Sequence, residues 1–205
     1  MWRLLALLAL VACSKVDRKA LLDPSRARAQ APSTFRVKFE TTKGSFLVDV
    51  YRDWAPHSAD RFFNLVRIGY YNDCAFFRMT PQYAQFGLSG DKDVNGAWLH
   101  EFLPVDLPKQ SNRQGFVSFA QAGSPEKRST QVFVNRADNT FLDRQFAPFG
   151  QVVGDGMKVV DKFYAGYGDG PPDGPVQGRI IIDGKAYLDR EFPKLDRIKR
   201  ATIVQ

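Results

Sequence analysis

Residues 76–87, FFRMTPQYAQFG, place a single arginine, Arg78, among aromatic and apolar residues at strand-like spacing. An arginine stays charged at any relevant pH, so burying it is costly unless acceptors take its five N–H donors. No acidic residue lies between Asp73 and Asp91. Arg78 therefore finds an acidic partner elsewhere, faces a groove that receives a ligand's oxygen atoms, or lies on the solvated face of a half-buried strand. The local sequence leaves these alternatives open.

Apolar residues alternate with polar ones before and after this stretch, which predicts β-strands. Phe35, Val37 and Phe39 share one face of a first strand, and the alternation resumes after a turn at Gly44. These two segments predict a β-hairpin. Further strands are predicted over residues 115–123, 131–134, 149–154, 180–182 and 198–204.

Two segments carry the spacing of helices. The first covers residues 56–68, begins with proline and is followed by glycine. The second starts near Met157 and keeps apolar residues on one helical face for about three turns, until residue 166. Residues 92–114 and 166–178 are predicted to be irregular. Many short strands with only two helices predict one domain, a closed or nearly closed β-barrel whose open ends the helices cover.

Composition and charge restrict the possible functions. The chain has 205 residues, 44% of them hydrophobic and 25% charged, which suits one soluble domain with a core. Its formal net charge is +7. Nucleic-acid binding is nevertheless not favoured, because the basic residues form no recognisable reading motif and no zinc-finger or helix-turn-helix spacing occurs. The sequence contains no metal-ligand cluster, Ser-His-Asp set or phosphate loop, so neither a metal nor a cofactor is predicted.

The N-terminus has the pattern of an export signal. Residues 1–12 combine an early arginine with an apolar run that is too short to span a bilayer. Small residues precede Cys13, as in the lipobox of bacterial lipoproteins, which predicts a lipid-modified cysteine; the alternative is an ordinary cleaved signal. Residues 13–33 are basic and predict a tether near an anionic membrane surface. The expected location is the cell envelope or periplasm, and Cys74 is expected to fill space in the core.

Five motifs occur in order along the chain. They are Phe-x-Arg-x-x-Pro at 76–81, Gly-x-x-Ser-x-Ala-x-Ala-Gly at 115–123, Thr-Gln-x-Phe at 130–133, Phe-Leu-Asp at 141–143 and Phe-Gly-x-Val at 149–152. With them the chain resembles the cyclophilin-type peptidyl-prolyl isomerases, as a divergent, exported bacterial member, over roughly residues 35–165 and the final strand. The resemblance implies a mainly β domain over residues 34–205, a closed eight-stranded antiparallel barrel capped by two α-helices. Residues 178–196 are then an insertion before the last strand.

The resemblance also implies a set of functional residues. Arg78 matches the catalytic arginine, which would donate to the prolyl nitrogen of a twisted X-Pro bond. The substrate groove would be formed by Tyr83, Gln85, Ala120, Gln121, Gln131, Phe133, Phe141, Leu142 and Phe146. Phe141 replaces a frequent tryptophan, and Phe146 stands where a histidine is common.

The implied partners are proline-containing segments of unfolded or folding polypeptides. The protein is expected to be a monomer that contacts the membrane through its N-terminal lipid. The altered groove positions motivate an alternative function, a binding module or chaperone of the same fold with little or no turnover. A scaffold role for the 178–196 insertion is a third possibility.

Overall fold

The computed structural model describes residues 16–204, and the predicted signal peptide and Cys13 lie outside them. The strands are β1 (Thr34–Thr41), β2 (Gly44–Tyr51), β3 (Arg78–Met79), β4 (Tyr83–Phe86), β5 (Phe116–Phe119), β6 (Val132–Asn135), β7 (Pro148–Val153) and β8 (Ile198–Val204). The helices are α1 (Arg18–Leu22), α2 (Pro56–Arg67), α3 (Lys92–Trp98), α4 (Gly156–Val160) and α5 (Gln177–Glu191).

All of these strands belong to one antiparallel sheet in the order β3-β4-β6-β5-β7-β2-β1-β8. The predicted hairpin is confirmed as β1 and β2, in which Val37 pairs with Val48 and both side chains are buried. Strand predictions that followed clear alternation or short apolar runs are confirmed in β5, β6, β7 and β8.

The sheet is open, so the prediction of a closed barrel is wrong. β3 and β8 are its two edges and do not pair with each other. β3 is only two residues long and is soon followed by Pro81, whose nitrogen carries no hydrogen, so this edge offers few groups for pairing. The segments that precede β3 and β8 are linked instead by an isolated β-bridge between Ala75 and Arg197 and by a hydrogen bond of 2.9 Å from Phe76 N to Asp196 O.

The main core lies between the sheet and α2. Phe39 of β1 stacks on Phe46 of β2 with ring centroids 4.9 Å apart, and Phe62 of α2 lies 4.9 Å from Phe149 of β7. The helix predicted over residues 56–68 is confirmed and ends one residue early. Cys74 is fully buried, and burial raises the pKa of its thiol, so it fills space as predicted.

The chain between residues 156 and 196 departs most from expectation. α4 has five residues rather than about three turns, and the chain then turns so that Phe163 stacks on Phe76 at 4.0 Å. The strand predicted over 180–182 is wrong, because these residues lie within the longer helix α5. A short apolar run does not distinguish a strand from a buried helix. Ile180 is buried whereas Ile182 is exposed, as expected for a helix that packs one face.

Buried residues on α5 form a second, smaller core. The residues of this cluster are Ala75, Phe77, Leu88, Ile180, Tyr187, Leu188 and Leu195. Phe77 immediately precedes β3, so α5 packs behind the strand that carries Arg78. Another difference from expectation is α3, which lies in the segment 92–114; Asp91 caps it by accepting hydrogen bonds from the N–H groups of Asp93 and Val94.

The described part of the predicted tether, residues 16–33, is folded against the domain. Ala20 and Leu21 of α1 are buried, and the Leu21 carbonyl accepts a hydrogen bond of 2.9 Å from Trp98 Nε1. Further along, the N–H of Ala31 donates to Asp60 Oδ1 at 2.8 Å. This segment therefore contributes to the core.

Asp143 connects the turn that follows β6 to the chain that precedes β5. Its carboxylate accepts hydrogen bonds from Ser111 Oγ at 2.6 Å and from the Asn112 N–H at 2.6 Å. Burial raises the pKa of the Asp143 carboxyl, but these hydrogen bonds outweigh burial and hold the pKa below its ordinary value of 3.8.

We expect Leu21→Ala to lower the free energy of unfolding by about 2 kcal/mol, because it leaves a cavity under α1. Leu22→Ala is the matched control, since Leu22 is 44% exposed and its truncation should cost less than about 0.5 kcal/mol. Urea unfolding of both variants measures the difference. Equal stabilities would show that residues 16–33 do not contribute to the core.

We expect Asp143→Asn to lower stability in a pH-dependent way. A carboxyl whose pKa is lower in the folded protein stabilises the fold above its ordinary pKa, and this contribution disappears as pH falls through the folded value. The variant should therefore lose about 1 kcal/mol near neutral pH and nothing well below pH 3.8. The free energy of unfolding is measured from about pH 7 down to about pH 2 for the wild type, Asp143→Asn and the control Asp53→Asn. A difference that does not shrink with acid contradicts it.

Candidate active site

The predicted site residues meet in one groove, with a single exception. The groove has a free volume of about 170 Å³. It is lined by Arg78, Tyr83, Gln85, Ala120, Gln121, Ala122, Gln131, Phe133, Leu142, Phe146 and Gln177. Phe141 is the exception, since it is 71% exposed and does not line the groove. The tight turn Thr140–Leu142 directs Leu142 to the groove and Phe141 to solvent.

The pairing of three strands places the key side chains on one face. Arg78 on β3 pairs with Gln85 on β4, and Gln85 pairs with Phe133 on β6. Residues directly opposite each other in a sheet project to the same side. Tyr83 lies two residues before Gln85 and therefore also shares that side.

A line of hydrogen bonds crosses the groove floor. Arg78 Nη1 donates to Gln85 Oε1 at 3.1 Å, and Gln85 Nε2 donates to Gln131 Oε1 at 2.7 Å. Gln85 is almost fully buried, so its amide is held in a single orientation by these two contacts. The guanidinium of Arg78 is thereby fixed from the β4 side.

Two further contacts surround Arg78. Its Nε donates to Asp169 Oδ1 at 2.5 Å, and its Cζ lies 4.8 Å from the centre of the Tyr83 ring. The Arg78 side chain is 28% exposed and that of Asp169 is 65% exposed. Arg78 therefore has an acidic partner and also faces a groove. The sequence had offered these as alternatives, and both are found.

Aromatic rings form an apolar pocket beside Arg78. The ring centroids of Tyr83 and Phe133 are 5.9 Å apart, and those of Phe133 and Phe146 are 5.4 Å apart and nearly perpendicular. Leu142 closes the pocket. Burial raises the pKa of the Tyr83 hydroxyl, which keeps it protonated at neutral pH.

The opposite wall is supported by a buried arginine that the sequence analysis missed. Gln121 Oε1 accepts a hydrogen bond of 3.1 Å from Arg128 Nη2, which also donates to the carbonyl of Gln145. Burial lowers the pKa of Arg128, and its ring contact is with Phe146 at 5.8 Å. Arg128 therefore links Gln121 on one wall to the pocket on the other.

Asp169 and Gln177 were also missed. Asp169 is 91 residues from Arg78 in sequence, so no local spacing connects them. The glycine and proline content of residues 166–178 indicated only a loop.

Among residues 16–204, no group of three or more His, Cys, Asp or Glu side chains is placed to hold a metal ion. Among the helices of the same residues, none is long and apolar enough to cross a membrane.

Comparison with known proteins assigns the family. The family model for "Cyclophilin type peptidyl-prolyl cis-trans isomerase/CLD" matches residues 36–184. A peptidyl-prolyl cis-trans isomerase of Acinetobacter baylyi is 31% identical over 142 residues, 65% of this chain and 74% of the relative. Peptidyl-prolyl cis-trans isomerase-like 1 of Aspergillus oryzae is 32% identical over 132 residues, 62% of this chain and 80% of the relative.

A solved structure shares the fold. The crystal structure of a Cryptosporidium parvum cyclophilin type peptidyl-prolyl cis-trans isomerase in the presence of the dipeptide Ala-Pro superposes with a TM-score of 0.61. The match is 17% identical and covers 83% of this chain and 99% of that one. The residues matched by the family model include every residue that lines the groove. The chain belongs to the cyclophilin-type peptidyl-prolyl cis-trans isomerases.

Proposed function

We propose that the protein accelerates rotation about X-Pro bonds of exported client proteins, with Arg78 as the catalytic residue. The observation that carries this proposal is the guanidinium of Arg78, held by Gln85, beside a pocket lined by apolar side chains. The pocket residues Phe133, Leu142 and Phe146 would hold the ring still while the preceding carbonyl turns.

The energetics of the reaction explain why an arginine suffices. An X-Pro bond rotates over a barrier of about 18–20 kcal/mol because the nitrogen lone pair is delocalised into the carbonyl, while the two isomers differ by only about 1 kcal/mol. In the twisted state the lone pair localises on the prolyl nitrogen and can accept a hydrogen bond. A donor that binds the nitrogen only in that state lowers the barrier without tightening the ground state.

Arg78 keeps donors free for this purpose. A guanidinium has five N–H groups. One on Nε binds Asp169 and one on Nη1 binds Gln85, and no carboxylate or amide oxygen of residues 16–204 takes the other three, although the Tyr83 hydroxyl lies near the guanidinium. These three N–H groups carry a charge that does not titrate in the relevant range, so they remain donors throughout.

Polar groups along the groove suit an extended peptide. Gln121 and Gln131 line it together with the small residues Ala120 and Ala122, which let a peptide backbone approach closely. The Ala-Pro dipeptide named with the Cryptosporidium parvum structure is consistent with a proline-containing ligand for this fold. Proline-containing segments of unfolded or folding polypeptides are therefore the proposed substrates.

The Asp169 contact favours a second candidate function. A carboxylate at 2.5 Å from Nε reduces the positive potential that Arg78 presents to a substrate. A groove with a weakened donor would bind proline-containing segments with little turnover, as a chaperone does. The two candidates differ in whether the groove accelerates exchange or only binds.

We expect Arg78→Ala to reduce kcat/KM at least about 100-fold, because it removes the donor to the twisted state, while peptide affinity changes only a few-fold. Cis-trans exchange of a short Ala-Pro peptide, measured by NMR exchange spectroscopy, gives the rate, and peptide shift titration gives the affinity.

Arg144→Ala is the matched control, since Arg144 is exposed and does not line the groove. Equal acceleration by wild type and Arg78→Ala contradicts the assigned role of Arg78. Binding without acceleration by the wild type favours the chaperone.

We also propose that the protein is exported and anchored through a lipid on Cys13. The apolar run before Cys13 and the small residues next to it support this. The folded domain is held from Asp17, whose N–H donates to Ile68 O at 3.1 Å. Four peptide units join Cys13 to Asp17 and span at most about 14 Å, so a lipid there would keep the domain close to the membrane surface.

We expect Cys13→Ser to move the protein from the membrane fraction to the soluble periplasmic fraction when it is expressed in a bacterium that processes lipoproteins, because the acylated thiol is lost. Cys74→Ala is the control and should leave the protein in the membrane fraction. Membrane association of Cys13→Ser equal to that of wild type would rule out this anchor.

A further inference from the structure

We infer that Asp169 is a positioning residue for the isomerisation, and that its carboxylate holds the guanidinium of Arg78 in the orientation needed at the groove. This inference deepens the proposed function and rests on it. It assigns a role to the loop at residues 166–178, which the sequence predicted only to be irregular.

Three contacts on different sides fix the guanidinium. Asp169 takes the N–H of Nε, Gln85 takes one N–H of Nη1, and the Tyr83 ring lies against the Cζ atom at 4.8 Å. Gln85 and Tyr83 both come from β4, so without Asp169 every constraint on Arg78 would come from one strand. Asp169 adds the constraint from the other side, which stops the guanidinium from rotating about its last side-chain bonds.

Backbone geometry places Asp169 at this point. The residues on either side of it, Gly168 and Gly170, have φ angles of 61° and 143°, which side chains other than glycine rarely adopt. The Gly168 carbonyl accepts a hydrogen bond of 3.2 Å from the N–H of Met79. The loop is therefore attached to β3 at the residue that follows Arg78, and Asp169 is the next residue along the loop.

Aromatic packing anchors the base of the loop. The Tyr167 ring lies 4.9 Å from Tyr164 and 5.0 Å from Phe192, and Phe192 lies 5.5 Å from Tyr187 of α5. The first residue of α5, Gln177, lines the groove directly. The loop and α5 thus act as one wall, which contacts Arg78 through Asp169 and lines the groove at Gln177.

The donor count argues for positioning over inhibition. Asp169 occupies Nε, and three N–H groups on Nη1 and Nη2 remain for the substrate. A bound peptide also excludes water from Arg78, and an adjacent carboxylate reduces the cost of covering that charge. The carboxylate weakens the donor somewhat, so the inference requires that correct placement outweighs this loss. A displacement of about 1 Å at a reacting centre can cost about 100-fold in rate, which makes placement the larger effect.

The test compares Asp169→Asn, Asp169→Glu and Asp173→Asn in the Ala-Pro exchange assay. Asp173 is an exposed residue of the same loop, so its variant makes the same change in net charge away from Arg78. We expect kcat to fall about tenfold in Asp169→Asn while peptide affinity stays within about twofold, because the contact acts on the twisted state through Arg78. Asp169→Glu should recover part of the rate.

A side-chain NMR signal provides a second readout. The Nε–H resonance of Arg78 should shift and exchange faster with water in Asp169→Asn, and stay unchanged in Asp173→Asn. A purely structural role for Asp169 would leave that resonance in place in any variant that stays folded.

The possible failures are distinguishable. If the wild type does not accelerate exchange, both the proposed function and this inference fall. If the wild type accelerates exchange and Asp169→Asn has the same kcat as Asp173→Asn, only the inference about Asp169 is wrong. A higher kcat in Asp169→Asn would show an inhibitory contact, and a change in affinity alone would show direct peptide binding; either result overturns it.

Discussion

The placement of one half-buried, charged side chain at the edge of the sheet organises this structure. Arg78 and Met79 form the two-residue strand β3. The residues on either side of Arg78, Phe77 and Met79, are buried, so the Arg78 side chain can point only to the groove. A shift of one residue in the pairing with β4 would turn the charge into the core and expose the apolar neighbours. The pairing of Arg78 with Gln85 is therefore held by hydrophobic burial on one face and by hydrogen bonds on the other.

The short edge strand also explains why the sheet is open. β3 cannot extend along β8, and the second core formed by α5 packs against Phe77 at this edge. That core carries the loop with Asp169 to the edge where Arg78 projects. The loop and α5, which pack at this edge where β3 and β8 do not pair, thus also supply a wall of the groove.

Sequence patterns predicted the elements that depend on neighbouring residues alone. Alternation gave the β1–β2 hairpin, and a proline start with apolar periodicity gave α2. The ordered motifs brought together the groove residues except Phe141, whose direction depends on a tight turn. The Asp169 contact could not be predicted, because it joins residues 91 positions apart. The packing of residues 16–33 was missed for a related reason: Ala20, Leu21 and Ala31 are buried through tertiary contacts, while composition indicated only a basic, polar segment.

Rotation about a peptide bond breaks no covalent bond, so the protein needs no nucleophile and no proton transfer. Catalysis then depends on where a hydrogen-bond donor is placed, since the donor helps only if it reaches the prolyl nitrogen when the lone pair has localised. A flexible arginine is poorly suited to this task unless several independent elements hold it. Here a strand partner, an aromatic ring and a loop bounded by two left-handed glycines restrict the same guanidinium. In the proposed mechanism, parts of the fold that are remote from the groove therefore belong to the catalytic arrangement, because they set where the remaining N–H groups of Arg78 point.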